Sequence, residues 1–224
     1  MLAEDRAKIA EHFDVTIGLD LKPRYNIAPG QEIAVVRRSA ATSVRELALL
    51  RWGLVPAWAK DPKIGYKMIN ARAETIASKP AFREAIQRRR CLIPATGYYE
   101  WLREGKTRTP FCFTMRDGGI FALAGIWENW RDPASPGQSP MLETASILTT
   151  SPNKAMEGVH DRMPVILPPA SYDLWLDPAM PFSPAVSALL QPFDAAQIQR
   201  RQVSSRVNFV KYDDPACAEN IISV

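Results

Sequence analysis

Apolar positions fall mostly into short runs bounded by turn residues, rather than into long helical stripes. Residues 32–37, 46–52, 91–93, 97–103, 110–115, 120–126 and 145–150 read as strands. The pairs flanking Glu104-Gly105 and Gly118-Gly119 read as hairpins, since glycine supplies the positive φ that such turns need. Residues 2–13 place Leu2, Ile9 and Phe13 roughly on one helical face, with charges elsewhere. Further short helices are predicted at 73–78, 81–89, 170–176 and 185–190. Strands arrive in runs rather than in strict alternation with helices. The pattern therefore predicts an α+β fold in a single domain over residues 1–224, with a mainly antiparallel sheet or barrel-like core and peripheral helices.

Composition refines this picture only in places. The 19 prolines point to a loop-rich chain rather than a bundle, and residues 22–30 and 132–140 are loops by composition. A formal net charge of +4 permits a nucleic-acid partner without establishing one. The densest basic run, Arg88-Arg89-Arg90, closes a predicted helix and reads as a solvated helix end. Three cysteines, odd in number and widely spaced, fit a reducing compartment with no disulfide framework and no zinc site. Glu4, Asp5 and Arg6 stand where a signal peptide needs apolar residues, and no run is long enough to span a membrane. The expected location is the cytoplasm, at the nucleoid when bound to DNA.

No phosphate-binding glycine loop, metal cluster or nucleophile elbow occurs, and no cofactor is expected. Four segments carry candidate chemistry. In GYYEW, strand alternation puts Tyr98, Glu100 and Leu102 on one face and Tyr99 and Trp101 on the other. A carboxylate among aromatics is a candidate for a raised pKa and proton transfer, the alternative being a surface glutamate. His160, in VHDRMP, is a candidate proton shuttle or a structural histidine, whereas His12 reads as a helix residue. In INARAET, Asn70, Arg72 and Glu74 share a face if extended. Otherwise they form a capped turn before a helix. In RWGLVPAW, Trp52 and Trp58 are either stacking platforms for unpaired bases or buried closures, Trp52 being the better candidate because it adjoins Gly53.

Taken together, these segments resemble the SOS-response-associated peptidase family. The resemblance runs in order through RYNIAPGQ, RWGLVPAW, INARAET, RCLIPATGYYEW, VHDRMPVIL and VSSRVNFVKYDDP. It implies a β-rich α+β domain that engages abasic sites in single-stranded DNA, with no obligate protein partner. In that family a cysteine at position 2, exposed after methionine removal, condenses with the abasic aldehyde into a stable cross-link. The same chemistry supports self-processing of the N-terminus. The resemblance assigns catalytic roles to Asn70, Glu100 and His160, and DNA contacts to Arg72, Arg162, Trp52, Trp101, Asn26 and Arg206.

This chain departs from the family pattern at its start. Position 2 is leucine, too bulky for methionine removal, and the first helical pattern begins a few residues early. Thr96 also replaces the aspartate usual before the GxYEW pattern. Cys91, in CLIP, reads as a small core residue, and neither Cys112 nor Cys217 matches the nucleophile's position. Three explanations stay open: an in-frame cysteine encoded upstream, a non-covalent DNA-binding module, or Schiff-base chemistry by the Met1 amine itself. A cysteine-type peptidase acting on other proteins is a further alternative.

Overall fold

The computed structural model describes residues 1–39, 42–135 and 137–221; positions 40, 41, 136 and 222–224 lie outside it, position 136 falling within the loop predicted at 132–140. Its strands are β1 (Glu32–Arg38), β2 (Arg45–Trp52), β3 (Asn70–Arg72), β4 (Arg90–Ala95), β5 (Tyr98–Glu104), β6 (Thr107–Met115), β7 (Phe121–Trp130), β8 (Leu142–Thr150), β9 (Met163–Pro164), β10 (Ile166–Leu167) and β11 (Ile198–Gln202). The main sheet runs β10-β7-β4-β1-β2-β8-β3, with β9 on β8. β7 also pairs with β8, so the sheet curls until two of its strands meet. A second, three-stranded sheet runs β11-β6-β5. Pairing is antiparallel except that β8 lies parallel to β2 and β3, so the fold is a sheet-dominated, mixed α+β architecture.

Alternation along the central strands explains the layering. Ile33 and Val35 of β1, Cys91 and Ile93 of β4, and Leu123 of β7 point into one apolar cluster, which Tyr98, Phe113 and Ile198 of the small sheet complete. Ala34, Val36, Leu92, Ala122 and Ala124 point the other way, where the helices cover them. Those helices are α1 (Arg6–Phe13), α2 (Arg83–Arg88), α3 (Tyr172–Leu176) and α4 (Pro184–Ser187). Strands buried on both faces read as continuous apolar runs, which is why they are visible in the sequence. Among the described residues no helix is long and apolar enough to cross a membrane.

Several helical predictions are corrected. The first helix begins at Arg6 rather than Leu2, because the Asp5 carboxylate accepts the Ala7 N–H at 2.7 Å and caps it there. Leu2 instead forms a buried β-bridge with Arg24. The helix predicted at 73–78 is only a 3-10 turn, Ala73–Thr75. The basic run is also not uniformly solvated. Arg90 is 3% exposed, and its guanidinium donates to the carbonyls of Trp175, Ile86, Gln87, Asp177 and Met180. It ties β4 to α2, α3 and the chain after α3. Arg90→Met should therefore lower unfolding stability by more than about 3 kcal/mol, since it strands several buried carbonyls at once. A loss below ~1 kcal/mol in urea titration would contradict that role.

Candidate nucleic-acid interface

Strand β5 is the edge of the small sheet. Along its free side, between the two sheets, lies a cleft of about 610 Å³. Because an edge strand borders the cleft, side chains from both of its faces reach it: Glu100 from one and Trp101 from the other. Asn70, at the start of β3, enters from the main sheet, and INARAET is extended at this point, with Ala71 buried and Asn70 and Arg72 exposed. His160 enters from the loop after Gly158, whose φ of +76° turns the chain. Trp52, at the end of β2, Asn26 and Met1 complete the set. The predicted trio Asn70, Glu100 and His160 is thus gathered in one place from three distant segments.

Burial raises the Glu100 carboxyl above its ordinary value, with the charges of His160 and Arg103 acting against the rise. His160 Nδ1 accepts the Arg162 backbone N–H at 3.0 Å, which leaves the neutral ring's proton on Nε2. The same nitrogen lies 3.2 Å from Asp161 Oδ1, placed to balance an imidazolium. One face of the site is therefore a carboxyl whose burial favours its protonated form, in the same cleft as an imidazole that carries its proton on Nε2.

The Met1 amine donates to the Gly97 carbonyl at 2.8 Å, and the Met1 carbonyl accepts the Thr96 N–H at 3.1 Å. Burial lowers this amine from 8.0 to about 6, so it is largely unprotonated at neutral pH. Gly97 permits the approach: a Cβ there would come within 2.9 Å of the Met1 methyl and 3.0 Å of the Phe113 carbonyl. No cysteine of the described residues lines the cleft. Cys91, Cys112 and Cys217 are all fully buried, and burial pushes the Cys91 and Cys112 thiols up, away from the thiolate form. Among the described residues no group of three or more His, Cys, Asp or Glu side chains could hold a metal ion.

The remaining predicted contacts divide. Trp52 lines the cleft with its Nε1 donating to the Ile69 carbonyl at 2.9 Å, and Trp101 with its Nε1 donating to Asn208 Oδ1 at 2.6 Å. Both rings are held by their edges. Asn26 is buried, and its Nδ2 donates to the carbonyls of Val207, Phe209 and Tyr212, so it shapes the loop that walls the cleft. Arg162 forms a two-pronged pair with Glu74 at 2.7 and 2.8 Å and also donates to the Thr149 carbonyl. Its hydrogen bond holds the Glu74 carboxyl below the usual range. Arg206 pairs with Asp214 at 2.6 Å and lies over the Tyr212 ring. Arg72 is exposed and makes no ion pair among the described residues, its charge helping to hold the Glu74 carboxyl low.

Trp58, for which the sequence left a stacking platform and a buried closure open, is 60% exposed, and two aromatics that the sequence does not single out, Tyr66 (59%) and Phe209, also present large surfaces to solvent. The guanidinium of Arg51 lies 5.0 Å from the Tyr66 ring. The alternation of lysines with Tyr66 in KIGYK was the signal available. The Tyr66 loop is locked to the end of β2 through two glycines. A Cβ on Gly53, whose φ is +126°, would meet the Gly65 carbonyl at 2.6 Å. Gly53→Ala should accordingly cost about 2–4 kcal/mol in stability, from overpacking together with the unfavourable φ. Wild-type stability in that variant, measured by thermal unfolding, would contradict the close packing.

The family model described as SOS response associated peptidase (SRAP) matches residues 1–210. This chain belongs to that family. The chain is 43% identical over 216 residues to the abasic site processing protein YoqW of Bacillus subtilis, covering 95% of this chain and 94% of that one. It is 29% identical to the abasic site processing protein HMCES of Xenopus tropicalis, over 90% of this chain and 67% of that one. A solved protein of Bacteroides thetaiotaomicron superimposes with a TM-score of 0.81 at 30% identity, over 99% of this chain and 98% of that one. In this SRAP chain the second residue is Leu2, 3% exposed, and the α-amine at the cleft is that of Met1.

Proposed function

We propose that this chain recognises abasic sites in single-stranded DNA, the cleft receiving the ring-opened sugar. The observation that carries the reading is the convergence of Asn70, Glu100, His160 and the Met1 amine in one cleft, in a chain whose relatives are abasic site processing proteins. The ring-opened sugar offers an aldehyde. A neutral amine adds to its carbon to give a carbinolamine, which loses water to give an imine. Both steps need protons moved: Glu100 delivers one to the departing hydroxyl and, as the resulting carboxylate, takes back the one the nitrogen then loses, while the His160 Nε2–H donates to the oxygen. Asn70 orients the aldehyde oxygen through its amide.

Around that centre Trp52 and Trp101 take the place of stacking partners next to the missing base, and Arg72 meets a phosphate. Arg162, Arg206 and Asn26 act by position, holding Glu74 and the walls of the cleft. Arg72→Ala should flatten the dependence of log affinity on log salt by about 0.7, one single-strand phosphate's worth. Trp101→Ala should weaken binding by ~1–3 kcal/mol with the salt slope unchanged. Identical salt slopes for Arg72→Ala and wild type would remove Arg72 from the phosphate contacts.

A second reading, a non-covalent binder of the same lesion, is favoured by one observation: position 2 is a buried leucine and offers no thiol. Binding to abasic oligonucleotides with and without borohydride separates the two. Trapping supports imine chemistry, and binding without trapping supports the module. The full burial of Cys91, Cys112 and Cys217 speaks against a peptidase that attacks other proteins through a thiol.

A further inference from the structure

The hairpin between β5 and β6 sets two arginines directly opposite one another: Arg103 pairs with Arg108 in the antiparallel register. Like charges in that position destabilise a strand pair. Among the described residues neither side chain has a hydrogen bond or ion pair, and the one carboxyl that feels the Arg103 charge, Glu100, is held by burial toward its neutral form. Three other arginines near the site are different. Arg24, Arg162 and Arg206 each hold a carboxylate. Arg103 and Arg108 are exposed, and both line the same cleft as Glu100 and Trp101. Glu104, next in the strand, projects to the opposite face and so does not neutralise them.

We propose that Arg103 and Arg108 together hold one phosphodiester of the single strand, beside the lesion rather than at it. This rests on the reading of the cleft as a DNA site. Three residues of strand separate Arg103 from Glu100, about 10 Å at 3.3 Å per residue. At roughly 3.4 Å per charge of a stacked strand, that lies up to about three phosphates from the abasic sugar. Two guanidinium groups facing each other can share the two free oxygens of one phosphodiester, each through charge-assisted hydrogen bonds. The anion also removes the repulsion between them. The hairpin is therefore strained in the free protein and relieved when the strand is bound.

The test is the double variant Arg103→Gln/Arg108→Gln in the full chain, against Arg83→Gln/Arg131→Gln as a control that removes the same charge elsewhere. The probes are an oligonucleotide with one abasic site and long flanks, and two versions trimmed on the 5′ or the 3′ side. The expected result has three parts. The salt slope falls by about 0.7 relative to the control. Wild type loses affinity when one particular flank is trimmed, and the variant does not. The variant's thermal midpoint without DNA stays equal to wild type or rises. A salt slope equal to the control's, with trimming still felt, would overturn the subsite alone. A lowered midpoint with the slope intact would also overturn it, by making the pair structural. Wild type binding none of these oligonucleotides would overturn the reading of the cleft and the subsite together.

Discussion

Mixed with an oligonucleotide carrying one ring-opened abasic site, the chain beginning at Met1 should yield a covalent adduct only when borohydride is present. Its Met1 amine is lowered to about 6 by burial, so at pH 7.5 most molecules carry a neutral, nucleophilic nitrogen. The product is an imine, which water reverses. Reduction turns it into a stable secondary amine. No thiol adjoins this amine to close a ring, since the next residue is Leu2 and the cysteines are buried. Trapping should rise as pH increases through about 6 and disappear after acetylation of the N-terminus. An adduct that survives heating in detergent without reductant would contradict this and would require one of the buried thiols to become exposed.

Glu100→Gln should slow that trapping by ~100-fold or more, in the range expected for loss of a general acid, and should at the same time make the protein more stable at neutral pH. The second effect follows from linkage. In the folded chain burial keeps the Glu100 proton on to higher pH than in the unfolded chain. Below the ordinary carboxylate value, about 4.3, both states are protonated and glutamate costs nothing. As pH rises through the higher folded value, the native state must carry a poorly solvated charge, and wild type loses stability relative to glutamine. The gain from Glu100→Gln should therefore be present at pH 7–8 and shrink toward pH 4. A variant less stable than wild type at pH 8 would mean that the carboxylate is held by contacts rather than merely buried.

The strands are legible because most of them bury both faces or alternate cleanly; β4 and β7 carry apolar residues at nearly every position, and β1 carries a continuous apolar run from Ile33 to Val36. β9 and β10, two residues each, and β11, the polar run IQRRQ, gave no periodicity to read. Arg90 reads as part of a solvated helix end because a buried guanidinium looks the same in sequence as a solvated one. Only the five carbonyls that converge on it, several from beyond residue 170, distinguish the two. Glu100, His160 and Asn70 could be named from their segments and from the family resemblance, yet their meeting is a product of topology. Parallel pairing of β3 with β8 and the free edge of β5 bring them together. The engagement of Arg162 with Glu74 was hidden for the same reason: the partners lie 88 residues apart.

Whether the cleft holds the lesion is tested most directly by comparing affinities for two oligonucleotides of one sequence, identical except that one base is missing from the second. Wild type should bind the abasic strand more tightly. Asn70→Ala, Glu100→Gln and His160→Ala should each shrink that preference while leaving affinity for the intact strand nearly unchanged. Equal affinity of wild type for both strands, or a preference that all three variants keep in full, would contradict the assignment of this cleft to the abasic sugar.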